Sequence, residues 1–154
     1  MSILEKNKLF WIEICLFTLL FLLISAGVFT GQEAIEGLEF LKDMAIGKDV
    51  QENELTQLVN FFFPQEGKAV CWIKFSYTSR EEFFLRWEWI NPQGKRYCLG
   101  EVKMEAGDYN NYRSWYWIKI KDRPASQLFG EWKVKVYIND LFLGEKSFYI
   151  ISSS

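Results

Sequence analysis

Residues 131–151 read EWKVKVYINDLFLGEKSFYII. The first eight alternate strictly, with Trp132, Val134, Val136 and Ile138 on one side and Lys133, Lys135 and Tyr137 on the other. Period two marks a half-buried strand, because successive side chains leave opposite faces of the pleat. Asn139-Asp140 interrupts the pattern with two residues suited to a tight turn, and the run Leu141–Ile151 follows. The stretch therefore predicts a β-hairpin.

The same period recurs upstream. AVCWIKFSYT (69–78) places Cys71, Ile73, Phe75 and Tyr77 together, opposite Val70, Trp72, Lys74 and Ser76. FFLRWEWI (83–90) places Phe83, Leu85, Trp87 and Trp89 opposite Phe84, Arg86 and Glu88. Further strands are predicted over LVNFFF (58–63), RYCLGEVKM (96–104) and SWYWIKIKD (114–122), the last with Tyr116, Ile118 and Ile120 on one face. Pro64 to Gly67, Asn91-Pro92-Gln93-Gly94 and residues 123–130 read as turns, and Glu105 to Arg113 as a loop. About seven short strands without an intervening helix predict an all-β, antiparallel sandwich.

The N-terminal part is different in kind. Residues 9–29, LFWIEICLFTLLFLLISAGVF, are apolar but for Glu13. At about 1.5 Å per residue the run is long enough for a hydrocarbon core of roughly 30 Å. Lys6 and Lys8 precede it, and Glu33, Glu36, Glu39 and Asp43 follow it with Lys42 alone. That asymmetry predicts a cytoplasmic N-terminus and an extracytoplasmic C-terminal domain, periplasmic or on the cell surface. Cleavage after Ala26 as a secretory signal would set Ile24 where a small residue is wanted, so an uncleaved signal anchor is the favoured expectation. Glu13 is expected near the cytoplasmic interface, or as a charge used in helix packing. The segment Leu9–Glu13 loosely resembles the start of a type IV pilin, although Lys8 stands where the pilin peptidase wants glycine. Residues 32–46 carry Ile35, Leu38, Leu41 and Ala45 at helical spacing and predict a short amphipathic helix. The expected organisation is an anchor over 1–30, an acidic helical stalk over 31–55 and a sandwich over 56–154.

Composition removes several function classes. The chain of 154 residues has a net charge of −2, so no basic face recommends nucleic acid. Histidine is absent, which excludes His-based acid–base catalysis, Ser-His-Asp and Cys-His nucleophiles and His-ligated metal. No Gly-rich phosphate loop is present. No catalytic residue, cofactor site or metal site is expected, and the chain is not expected to be an enzyme. The aromatic share is 18%, with seven Trp, which suits pleated half-buried surfaces.

Several stretches together resemble a recurrent Ig-like module of bacterial extracytoplasmic proteins. They are Ile46 to Val50 followed by Phe61 to Phe63, then Val70 to Ile73, then Trp87 to Gly94. The close is Gly130 to Tyr137, Leu143-Gly144 and Phe148 to Ile150. The likeness covers about Ala45 to Ile151 and implies an Ig-like sandwich that serves as an accessory domain, with no catalytic motif to transfer.

Two constellations remain. Cys71 and Cys98 lie on strands flanking the third, where a disulfide, two buried free thiols or a reactive or metal-binding pair are alternatives. Trp72, Trp115 and Trp117 alternate with Lys74, Ser76, Arg113 and Lys119 and, with Tyr137 and Tyr149, predict an exposed aromatic surface unless a bulge slips the parity. Trp, Tyr and Arg dominate binding hot spots, so Trp72, Arg113, Trp115, Trp117 and Tyr137 are the expected partner contacts. The function expected is a membrane-anchored, non-enzymatic interaction or structural module of the cell envelope. It would contact another envelope protein or a second copy. A pilin-like filament subunit and a secreted glycan-binding module are the alternatives.

Overall fold

A computed structural model describes residues 39–152. The expected anchor over 9–29, Glu13 within it and the start of the expected stalk lie outside the described residues. Nine strands follow Glu39 and Phe40, whose backbone is helical. They are β1 (Leu41–Gln51), β2 (Glu54–Leu58), β3 (Phe61–Phe62), β4 (Lys68–Ser79) and β5 (Phe83–Ile90), then β6 (Arg96–Met104), β7 (Gly107–Lys119), β8 (Gly130–Ile138) and β9 (Leu141–Ile150). One sheet has the order β2-β1-β4-β7 and the other β3-β9-β8-β5-β6. All neighbours are antiparallel except β3, which lies parallel to β9.

Alternation explains why these strands face as they do. Trp132, Val134, Val136 and Ile138 of β8 are buried, as are Phe83, Leu85, Trp87 and Trp89 of β5. From the other sheet, Cys71, Ile73 and Phe75 of β4 and Ile118 of β7 meet them. Phe148 is the hub of the lower core, with ring centroids 5.5 Å from Phe62, 5.8 Å from Trp89 and 5.9 Å from Trp132. The indole of Trp132 donates to the Leu128 carbonyl at 2.9 Å. The hairpin read from residues 131–151 is present, with Trp132 opposite Phe148 and Ile138 opposite Leu141. The expected turn at Asn91 closes with the Gly94 amide donating to the Asn91 carbonyl at 2.9 Å.

Four sequence expectations are corrected. From Leu41 onward the helix expected over 32–46 is strand β1 instead, because Met44 opposite Ile73 and Ile46 opposite Cys71 bury a period-two set against β4; residues 32–38 lie outside the described residues. β1 and β2 therefore belong to the sandwich, not to a stalk ending at residue 55. The single strand expected over 58–63 is two. The Val59 amide donates to Ile46 in one sheet, whereas the Asn60 carbonyl accepts from Tyr149 in the other, so the chain changes sheets between those residues. The loop expected over 105–113 is mostly strand. Asn110 and Asn111 together oppose Ser76, Asn111 has a φ of 52°, and this bulge lets the polar stretch Gly107–Tyr109 keep pairing with β4.

The close approach of β6 and β7 rests on Gly100. Gly100 lies opposite Trp87, and the Tyr116 ring stacks on Trp87 at 6.0 Å in the space that a Gly100 side chain would fill.

Candidate interaction surface

The outer face of the four-stranded sheet is built by β4 and β7, which pair without a break from Lys68 opposite Lys119 to Phe75 opposite Tyr112. On it Trp72 stands opposite Trp115, Val70 opposite Trp117 and Lys74 opposite Arg113. Parity along both strands is as the alternation predicts; exposure is not. Trp117 is 45% exposed and Trp115 half-buried, but Trp72 is only 5% exposed.

The cause is the β1–β2 hairpin. β1 pairs with β4 as far as Gly47 and with β2 from Gly47 onward. At Gly47 an added Cβ would stand 2.8 Å from Leu55 Cγ, so only glycine lets the hairpin pack this closely. The tip, Gln51 opposite Glu54 with Glu52 and Asn53 both at positive φ, is a two-residue turn of the kind that suits the strand twist. It reaches across the outer face. The Trp72 indole donates to the Asn53 carbonyl at 2.8 Å, and Arg113 Nε pairs with Glu54 at 2.5 Å. Trp72 and Val70 are thus buried outside the main core, under the hairpin. The expectation that Trp72 is an exposed contact is corrected: it is a packing residue of a second, smaller apolar layer.

Charge on this face is partly neutralised. Lys68 Nζ is 2.6 Å from Asp49 and lies over the Trp117 ring at 5.8 Å. The hydrogen bond from Lys68, with one from the Val50 amide, holds the Asp49 carboxyl below the usual carboxylate range. Lys48 pairs with Glu66, whose second oxygen accepts from the Phe63 amide at 2.9 Å. Lys119, directly opposite Lys68, has no ion-pair partner among the described residues. Asn53, Asn110, Asn111, Tyr112 and Arg113 line a shallow polar hollow of about 290 Å³ beside the hairpin tip.

Tyr137 is not part of this surface. It lies on the outer face of the five-stranded sheet, opposite Arg86, its ring 5.6 Å from Phe142 and its hydroxyl 3.4 Å from Glu88. Burial and the Glu88 charge raise its pKa. That face is laced with ion pairs, including Arg86 to Glu101 at 2.7 Å and to Asp140 at 3.1 Å, and Lys103 to Glu82 at 2.8 Å. The structure therefore groups Trp115, Trp117 and Arg113 and separates Tyr137 from them.

Sequence reasoning missed a second exposed apolar group. Phe61, Phe129, Tyr149 and Ile151 are 46, 49, 45 and 38% exposed, with Phe61 opposite Tyr149 and Glu131 beside them. Tyr149 is among the aromatics that alternation places outward. Phe61 is not legible as a partner for it, because the change of sheet at Val59-Asn60 falls inside what the sequence presents as one strand over 58–63.

Cys71 and Cys98 are not joined. Cys71 is fully buried on β4, and Cys98 lies on β6 of the opposite sheet, opposite Trp89. Burial pushes both thiols up, Cys71 strongly. The Trp87 and Trp89 indole N–H groups are buried with no partner of normal hydrogen-bond geometry; the weakly accepting Cys71 thiol faces that of Trp87. Among the described residues no group of three or more His, Cys, Asp or Glu could hold a metal, and no helix is long and apolar enough to cross a membrane.

No family model matches the chain, and no curated protein does. Among solved structures, the crystal structure of an immunoglobulin-like protein from Pseudomonas aeruginosa is similar, with a TM-score of 0.50 and 18% identity over 73% of this chain and 95% of that one. The fold is thus an Ig-like β-sandwich. In immunoglobulin terms β1, β4 and β7 correspond to strands A, B and E, and β9, β8, β5 and β6 to G, F, C and C′, with β3 as the short segment that crosses to pair with G. The part of β1 beyond Gly47 and its partner β2 are an addition to that plan.

Proposed function

We propose that this chain is a membrane-anchored, non-enzymatic interaction module of the cell envelope, held by residues 9–29 with its sandwich outside the cytoplasm. Trp115, Trp117 and Arg113 are its contact residues. The observation that supports this most is Trp117, a tryptophan 45% exposed next to a half-buried second tryptophan and framed by cations. Rings of this size left in water beside arginine are the residue types that dominate binding hot spots. The apolar run with lysines before it and acids after it supports the topology.

The test uses the full-length chain in its own envelope, extracted in mild detergent and measured by intact mass and size. The expected result is an uncleaved mass in a discrete complex that Trp115→Ala with Trp117→Ala disperses while the domain stays folded. A mass beginning after residue 26 from a soluble monomer would refute the anchor. A complex unchanged by the double variant would refute the contact face.

A further inference from the structure

We infer that the free edge of β7 takes an extended segment of another polypeptide as an additional strand, with a carboxylate of that segment set against Lys119. The inference rests on the contact face just proposed and adds the chemistry of its partner.

β7 ends its sheet, so one side of it makes no ladder within the described residues. The other sheet edges are blunted. β2 has five residues and a left-handed Gln57 at φ 52°; β3 has two residues and is followed by Pro64; β6 carries Glu101 and Lys103 in ion pairs. β7 has a bulge at Asn110-Asn111, but below it Tyr112–Lys119 runs eight residues in unbroken register with no proline. Unpaired amides and carbonyls along such a run are a template for strand addition.

The side chains beside the edge select the partner. Every second residue of an added strand would face the same side as Trp115, Trp117 and Lys119. Arg113 already has Glu54, and Lys68 has Asp49, but Lys119 faces Lys68 without a carboxylate of its own. Like charges directly opposite each other destabilise a sheet, so an added carboxylate at this position is favoured. The segment that fits carries one acid and then two apolar residues at alternate positions. A second copy fits less well: the antiparallel pairing of two β7 edges that sets Trp115 against Trp117 also sets Arg113 against Lys119.

The probe is the acetylated and amidated peptide Thr-Glu-Thr-Val-Thr-Val-Thr, added to the full-length chain in detergent micelles and followed by tryptophan fluorescence and amide exchange. Comparators are the peptide with Lys for Glu and versions N-methylated at alternate residues in each phase. Binding of the Glu peptide is expected to protect alternate amides of Tyr112–Lys119 and to be lost with one N-methylated phase. Lys119→Glu is expected to weaken it by about tenfold or more and to favour the Lys peptide, since a contact charge is reversed on a folded surface. Three results would overturn the inference. One is no binding of the Glu peptide up to millimolar concentration. Another is equal binding of all peptides, which leaves the aromatic face standing without strand addition. The third is a concentration-dependent dimer that itself protects Tyr112–Lys119. Dispersal of the native complex by the tryptophan variants together with failure of the peptide would remove the strand addition alone.

Discussion

Gly100→Ala tests how the two sheets meet. A Cβ built on Gly100 stands 2.3 Å from Tyr116 Cδ1, 2.4 Å from Cε1 and 2.5 Å from Cγ. The obstruction is the body of a ring, not the end of a flexible chain. Tyr116 cannot yield freely, because it stacks on the fully buried Trp87 at 6.0 Å. Overpacking of this kind costs about 1–3 kcal/mol. Against it, alanine restricts the unfolded chain and returns about 0.4–1 kcal/mol. With the clash at the upper end, the net expectation is a loss of about 2 kcal/mol, or roughly 8 °C in Tm for a domain of this size. Urea unfolding followed by tryptophan fluorescence measures it. Tyr116→Ala removes the obstruction, so in that background Gly100→Ala should cost close to nothing, a coupling of about 2 kcal/mol between the two sites. A single-variant loss below about 0.5 kcal/mol, or additivity of the two changes, would refute the reasoning.

Three further outcomes follow from the same geometry. Trp72→Ala should destabilise by about 3–5 kcal/mol, as for a buried indole, whereas Trp117→Ala should stay within about 1 kcal/mol; equal losses in denaturant titrations would contradict the hairpin's covering role. Asp49 has its carboxyl pKa lowered by Lys68, so its contribution is present above its unfolded pKa and lost as pH falls through the folded value. The stability difference between the parent and Asp49→Asn should therefore hold at neutral pH and fade below about pH 4; a pH-independent difference would remove the ion pair as its cause. Thiol labelling of the folded chain should modify Cys98 and leave Cys71 untouched until unfolding, with no Cys71–Cys98 peptide on mapping.

The strands legible in the sequence are those whose alternation is decided by one buried face. β5 and β8 alternate cleanly because both lie inside their sheet, and every odd or even position reports its side. Leu41 to Ile46 was not legible, since Leu41 and Ala45 fit a helical spacing while Met44 and Ile46 fit a strand. Pairing with β4 decides between them, and that partner is distant in sequence. Val59-Asn60 carries no sign of a change of sheet, because the apolar pattern continues through it. At the candidate site, parity placed Trp72, Trp115 and Trp117 on the outer face correctly. What parity lacks is knowledge of what lies above a face.

The added hairpin supplies that cover, and in doing so it sets the position of the surface. A sheet with three tryptophans and a valine on its outer side would otherwise expose one broad apolar patch. With its tip hydrogen-bonded to Trp72 and fastened to Arg113 through Glu54, the hairpin turns the β1–β4 half of that face into a packed layer. What is left in water is the strip along β7, where Trp117 and Lys119 lie beside a strand edge that is unpaired among the described residues. Folding alone does not require that strip to be aromatic, since β7 is already held by the pairing of Tyr112–Lys119 with β4 and by Ile118 in the core. A tryptophan left 45% exposed where folding gains least from it is the strongest physical argument for the proposal that the edge of β7 serves recognition.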